Sequence, residues 1–122
     1  VFRNRALVVE RFLPEREGSY YFMRHYLFLG DHTRSVRVVG STPFLKRSEC
    51  MPVDEGLPVP DEVVDLRIQL GLDYGKIDYV IHNNQVVILD VNRTPGAPRS
   101  TEATIQVVND LADGIWSLLA NI

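Results

Sequence analysis

Two apolar runs joined through a pair of asparagines, Ile77 to Ile81 and Val86 to Val91, constrain this chain more tightly than anything else in it. Both runs are rich in β-branched residues, and Asn83-Asn84 tolerates positive φ, so the segment predicts a β-hairpin. In an antiparallel pair, directly opposed residues point to the same face, and a slip of one residue exchanges the faces. Two registers are open. With Asn83-Asn84 alone as the turn, His82 opposes Gln85, Asp78 faces Leu89, Ile77 faces Asp90, and both faces mix charge with apolar side chains. With Asn83-Asn84-Gln85 as the loop, Ile77, Tyr79, Ile81, Val87, Leu89 and Val91 gather on one face. Lys76 then opposes Asn92, Asp78 opposes Asp90, Val80 opposes Ile88, and His82 opposes Val86. Removing a clean apolar face from water is worth roughly 25 cal/mol per Å², which selects the second register.

That register makes neighbours of Asp78 and Asp90. Like charges directly opposed destabilise a sheet, and a pair kept there calls for a cation. The hard oxygens of Asp78, Asp90 and Asn92 suit Mg²⁺, with phosphate and water completing the octahedron. Zinc is disfavoured, since no Cys or His cluster accompanies them. Spacing alone fits equally well a solvated sheet face whose acids pair with Lys76.

Elsewhere, Ala6 to Leu13, ending at Pro14, and Tyr20 to Leu29, ending at Gly30-Asp31, predict strands, with Ser35 to Val39 a shorter third. From Gly40 to Pro60 the prolines Pro43, Pro52, Pro58 and Pro60 and the cluster Lys46-Arg47-Ser48-Glu49 leave no periodicity, which predicts a long loop. Asp61 can cap a short helix carrying Val63, Val64, Leu66, Ile68 and Leu70, with Gly71 in the usual C′ place. After Pro95-Gly96 and Pro98, Ser100 or Thr101 can cap a last helix. Its residues Ile105, Val108, Leu111, Ala112, Ile115, Leu118, Leu119 and Ile122 recur at three and four, as a stripe packed on a sheet does. The expected fold class is α+β: an antiparallel β-sheet with helices packed on one face.

At 122 residues, with 45% hydrophobic and 24% charged, the chain is long enough for one domain with its own core. Its 13 Lys and Arg are scattered and the net charge is −3, which argues against a nucleic-acid footprint or a polybasic membrane patch. No apolar run reaches the roughly 18 to 20 residues of a membrane span. The single cysteine, Cys50, excludes an internal disulfide and fits a reducing compartment. A soluble, cytoplasmic protein is expected.

The stretch Gly71-Leu72-Asp73-Tyr74-Gly75-Lys76-Ile77-Asp78-Tyr79-Val80, followed by Val87-Ile88-Leu89-Asp90-Val91-Asn92-Arg93-Thr94-Pro95-Gly96, resembles the paired strands that end the ATP-grasp domain. There a first Asp, a second acid and an Asn two residues later hold magnesium against the ATP phosphates. The resemblance implies Asp78, Asp90 and Asn92 as metal ligands, with Asp90 where the family more often has Glu. Lys76 falls where these ligases often place an Arg for transition-state charge. Val8-Val9-Glu10-Arg11-Phe12-Leu13 is similar to the strand and linker that grip adenine, with main-chain groups near Arg11 and Leu13 on the base and Glu10 on its exocyclic amine. Glu17, with Glu15 as the competing choice, falls where an acid meets the ribose hydroxyls. Arg24 resembles an Arg that meets phosphate or acyl phosphate, with an edge-strand arginine as the structural alternative. Arg93 and Arg99 are candidates for an anionic substrate group.

The resemblance implies ATP-dependent activation of a carboxylate as an acyl phosphate, which an amine or thiol then attacks, with ATP and Mg²⁺ as cofactors. Arg24 and Lys76 would supply fixed positive charge. The likeness runs from about Leu7 to the last helix, and the family's glycine-rich subdomain and phosphate-covering lysines belong ahead of Val8. The chain is therefore expected to be the C-terminal portion of an ATP-grasp domain, 1–122, inactive by itself, with surface exposed by truncation as a candidate homo-oligomer contact. Two other readings stand beside it: a non-catalytic α+β nucleotide-binding or interaction module, and a small-molecule kinase on the same fold.

Overall fold

The computed structural model describes residues 6, 10–46, 48–96, 102–120 and 122. The order of elements is β1 (Glu15–Glu17), β2 (Tyr20–Leu29), β3 (His32–Gly40), β4 (Met51–Glu55), α1 (Asp61–Gln69), β5 (Tyr74–His82), β6 (Gln85–Asn92), α2 (Glu102–Ala112) and α3 (Ile115–Leu119). Among the described residues the sheet has six strands, in the order β4-β3-β2-β5-β6 with β1 paired to β2, and every pairing is antiparallel. The fold is α+β, an antiparallel sheet with its helices on one face. No helix among the described residues is long and apolar enough to cross a membrane.

Pairing across β2 and β5 decides which residues share a face. Tyr26 opposes Ile77 and Arg24 opposes Tyr79, whereas His25 opposes Asp78. Tyr26, Phe28, Ile77 and Tyr79 therefore point together, and they form the core with Val63 of α1 and Leu72. Phe28, Ile77 and Val63 are fully buried. The C-terminal end of α1 closes as the sequence anticipates. Gly71 takes φ 61°, and the N–H groups of Leu72 and Gly71 donate to the carbonyls of Arg67 and Ile68. Arg67 ties this end to β2, lying 4.2 Å over the Phe28 ring and donating to Gly30 O at 2.5 Å. The N-terminus differs from expectation: Pro60 is the cap position and Asp61 the first helical residue, with no side-chain cap bond.

The hairpin uses both registers. Near the turn, His82 opposes Gln85, Ile81 opposes Val86, Val80 opposes Val87 and Tyr79 opposes Ile88; beyond a bulge, Asp78 opposes Asp90 and Lys76 opposes Asn92. Leu89 is the extra residue. The turn explains the first half, because Asn83 and Asn84 both adopt positive φ, 50° and 60°, the two-residue geometry that matches strand twist. Core burial explains the second, because Ile77 and Val91 must point inward. One inserted residue satisfies both. The expected apolar face is corrected accordingly: Val86 replaces Val87 against the core, and Leu89 is 51% exposed.

Three further expectations are corrected. Of the strand foreseen over Ala6 to Leu13, residues 7–9 lie outside the described residues, and 10–14 form no strand; the short strand β1 begins after Pro14. The Gly40 to Pro60 loop contains β4, an edge strand that admits Pro52 because only one side needs hydrogen bonds. The last helix is two helices, α2 and α3, broken at Asp113-Gly114. Gly114 sits so close to β2 that a Cβ would run into the Leu29 carbonyl oxygen. Ile105, Val108, Ile115 and Leu119, expected in the core, are exposed.

Candidate functional site

The face opposite the core carries Lys76, Asp78, Asp90 and Asn92. Asp78 sits beside Asp90 on β6 and His25 on β2, and Lys76 beside Asn92 and Leu27. His25 Nδ1 lies 2.7 Å from Asp78 Oδ1, and Lys76 Nζ lies 2.8 Å from Asp78 Oδ2. Asp78 is 9% exposed. Burial alone would raise its pKa, but the hydrogen bonds from His25 and Lys76, with their charge, leave it below the ordinary Asp value. Asp90 is exposed and Asn92 half-buried. Asn92 Oδ1 accepts from the Thr94 N–H at 2.9 Å, which shapes the chain leaving β6.

Two strand positions along the same face, Val80 opens an apolar cleft of about 310 Å³ lined by Phe12, Leu13, Met23, Leu45, Val87 and Leu89 among others. The segment that forms its wall is pinned to the hairpin. His82 Nδ1 donates to Pro14 O at 2.7 Å, and the Ile81 N–H donates to Glu15 Oε2 at 2.9 Å. Glu10, Arg11, Phe12 and Leu13, expected around adenine, all line this cleft.

Other expected residues lie apart. Arg24 projects to the core face, where it chelates Glu15 through Nε at 2.9 Å and Nη2 at 2.8 Å. Glu15 also accepts from Arg37 Nε at 3.1 Å, and Arg37 pairs with Glu17. Arg24 is thus half of a paired charge network on the face opposite Asp78, and it stands on the central strand β2, so it is not the edge-strand arginine of the structural alternative. Glu17 is exposed and outside the cleft wall. Arg93 is exposed just beyond β6. Arg99 lies outside the described residues.

Sequence reasoning missed His25. A lone histidine within an aromatic strand carries no signal of its own, and its partner became visible only once β2 was placed opposite β5 at Asp78.

The oxygen set fits a hard divalent cation in part. Among the described residues, no three His, Cys, Asp or Glu side chains gather as a metal site. The expected set has two carboxylates and an amide, however, and a carboxylate accepts at about four lone-pair positions. Asp78 has given up one on each oxygen. Asp78, Asp90 and Asn92 could therefore hold a magnesium ion whose remaining positions go to phosphate and water.

A larger open groove of about 990 Å³ lies between α2 and β3. Its charged groups are already engaged: Arg34 pairs with Glu55 at 2.6 Å and His32 Nδ1 donates to Asp110 O at 2.6 Å. Convergent polar groups beside an apolar recess mark the smaller cleft as the better candidate. In comparisons with known proteins, the chain matches no family model, no curated protein and no solved structure.

Proposed function

We propose that this chain is the nucleotide- and magnesium-binding part of an ATP-grasp ligase that acts in the cytoplasm. One observation carries the reading: an apolar cleft and an oxygen-rich ligand set lie side by side on one sheet face. Val80 of the cleft and Asp78 of the ligand set are one pleat repeat apart, about 7 Å. An adenine in the cleft would have Phe12, Leu13, Met23 and Val80 against its ring, with Glu10 and the backbone near Arg11 within the same wall. The triphosphate would then run toward Asp78, Asp90 and Asn92.

Bound magnesium would offset charge on the phosphate oxygens as the γ-phosphoryl group transfers. Asp78, Asp90 and Asn92 orient that charge compensation. Lys76, whose ammonium stands at the same end of the sheet, supplies fixed positive charge to the phosphates. The reaction class is carboxylate activation: a carboxylate oxygen attacks the γ-phosphorus, ADP leaves, and an amine or thiol then displaces phosphate from the acyl phosphate. The substrates are accordingly small-molecule carboxylates, amines and thiols.

A non-catalytic module of the same fold is the reading favoured by the Lys76–Asp78 ion pair, which is what a structural sheet face would show. Titration calorimetry with ATP and Mg²⁺ separates the two. The ligase reading expects nucleotide binding that requires Mg²⁺ and is lost in Asp78→Asn and weakened in Phe12→Ala. Binding indifferent to both changes, or none in the presence of Mg²⁺, supports the module.

A further inference from the structure

We propose that His25 is the positioning residue of this site: it fixes one oxygen of Asp78, so that the other, held by the Lys76 ammonium, is the exchangeable seat of a divalent cation. The inference rests on the magnesium reading above and adds how the seat is kept and filled.

The two partners of Asp78 differ in kind. His25 sits on β2, the central strand, directly across from Asp78. Its ring is a short, stiff group reaching Oδ1 at 2.7 Å. Against a carboxylate, Nδ1 acts as the donor, and both the Nδ1–H tautomer and the imidazolium do so. The contact therefore holds in either protonation state. Lys76 reaches Oδ2 at 2.8 Å from the same strand, through a flexible four-carbon stem ending in a strongly hydrated point charge. Its side chain is the more exposed of the two, 25% against 19%. A bond from the neighbouring strand sets the carboxylate plane, and a tethered ammonium can leave without disturbing it.

Electrostatics gives the exchange its purpose. Asp78 is buried beside Asp90, and an unpaired buried carboxylate next to a like charge is costly. The ammonium supplies one positive charge without metal. A divalent cation held by Asp78 and Asp90 would supply two, which would leave the ammonium free to move off Oδ2. Lys76 opposes Asn92, so the released group stays at the same end of the face, where phosphates would lie. Carboxylates that ligate metals are held by outer-shell hydrogen bonds, and losing such a partner typically costs about 10 to 100-fold in metal affinity.

Mn²⁺ alone, followed by the electron paramagnetic resonance signal of the free ion, tests the assignment on the chain as it stands. Lys76→Met should tighten Mn²⁺ binding by about threefold or more, since it removes the competing charge and keeps the stem. His25→Ala should weaken binding about tenfold or more, and His25→Asn, whose amide can still donate, should recover part of it. Asp78→Asn sets the baseline, and melting curves confirm that each variant is folded. If Mn²⁺ binds and Asp78→Asn abolishes it, but Lys76→Met and His25→Ala leave it unchanged, the positioning and exchange roles are overturned and the magnesium site stands. If Asp78→Asn has no effect on Mn²⁺ binding, the magnesium site falls and this inference with it.

Discussion

Glu15 is the residue on which the core face closes at its charged end. It is 6% exposed and receives Arg24, Arg37 and the Ile81 N–H, while Arg37 also lies 3.7 Å over the Phe22 ring. Burial opposes its ionisation, but the Arg24 hydrogen bonds, the Ile81 N–H and the two guanidinium charges leave its pKa below the usual Glu value. Removing the carboxylate strands two half-buried cations, so Glu15→Ala should cost about 3 kcal/mol, read from urea unfolding. The pH dependence follows from the sign. Glu15 and Asp78 both have folded pKa values below their ordinary 4.5 and 3.8, so each contributes stability that is complete above those values and is lost as pH falls through the depressed ones. Unfolding midpoints should therefore hold near neutrality and drop at pH below about 4, with a shallower drop in Glu15→Gln. The sequence offered Glu15 only as a rival for the ribose. Glu15 also lines the cleft, and nothing local foretells that its carboxylate meets two arginines across the sheet, because strand pairing decides it.

At the scale of elements, the hairpin was legible to the extent that its two halves obey different rules. The apolar pattern placed Asp78 opposite Asp90, and the structure agrees. The turn preference of Asn83-Asn84 was also visible, but a bulge that reconciles two registers leaves no mark in a run of Val, Ile and Leu. Since Asn84 holds φ at 60° and Asn-Gly is the favoured pair for a two-residue turn with positive φ at both positions, Asn84→Gly should raise the melting temperature by about a few degrees. The last helix shows the opposite failure. Its three-and-four spacing is real, and continuity was inferred from it, but Gly114 breaks the element because β2 needs its backbone against the Leu29 carbonyl. Gly114→Ala should therefore cost about 2 kcal/mol or more by a forced backbone shift. Ile105→Ala, at a side chain 51% exposed, should stay within about 0.5 kcal/mol. Denaturant midpoints for the pair would reveal which contact holds α2 and α3 to the sheet; equal losses would place the docking on the helix stripe after all.

Across the whole molecule, the sheet separates stability from the proposed chemistry by face. One face buries Phe28, Ile77 and Tyr79 under α1 and ends in the Glu15 network; the other carries the cleft and the acids. A residue of the second face that takes little part in packing should let the two properties move independently. Asp90 is that residue, exposed at the edge strand β6 and opposed to the buried Asp78. Unlike Asp78, whose loss would strand His25 and Lys76, it is a like charge facing another acid, and such opposition destabilises a sheet by a fraction of a kcal/mol. Asp90→Asn keeps the shape and removes the charge. Its unfolding free energy should be unchanged or higher by less than about 1 kcal/mol, while Mg²⁺-dependent ATP binding weakens about tenfold or more, since a neutral amide is a poorer partner for the ion. Phe28→Ala should do the reverse, losing about 3–5 kcal/mol of stability with nucleotide affinity retained in whatever fraction stays folded. Urea titration and calorimetry on the two variants give the four numbers required. If Asp90→Asn leaves Mg²⁺-dependent binding intact, the second acid has no part in holding the ion, and the oxygen set reduces to Asp78 and Asn92, too few for the proposed site.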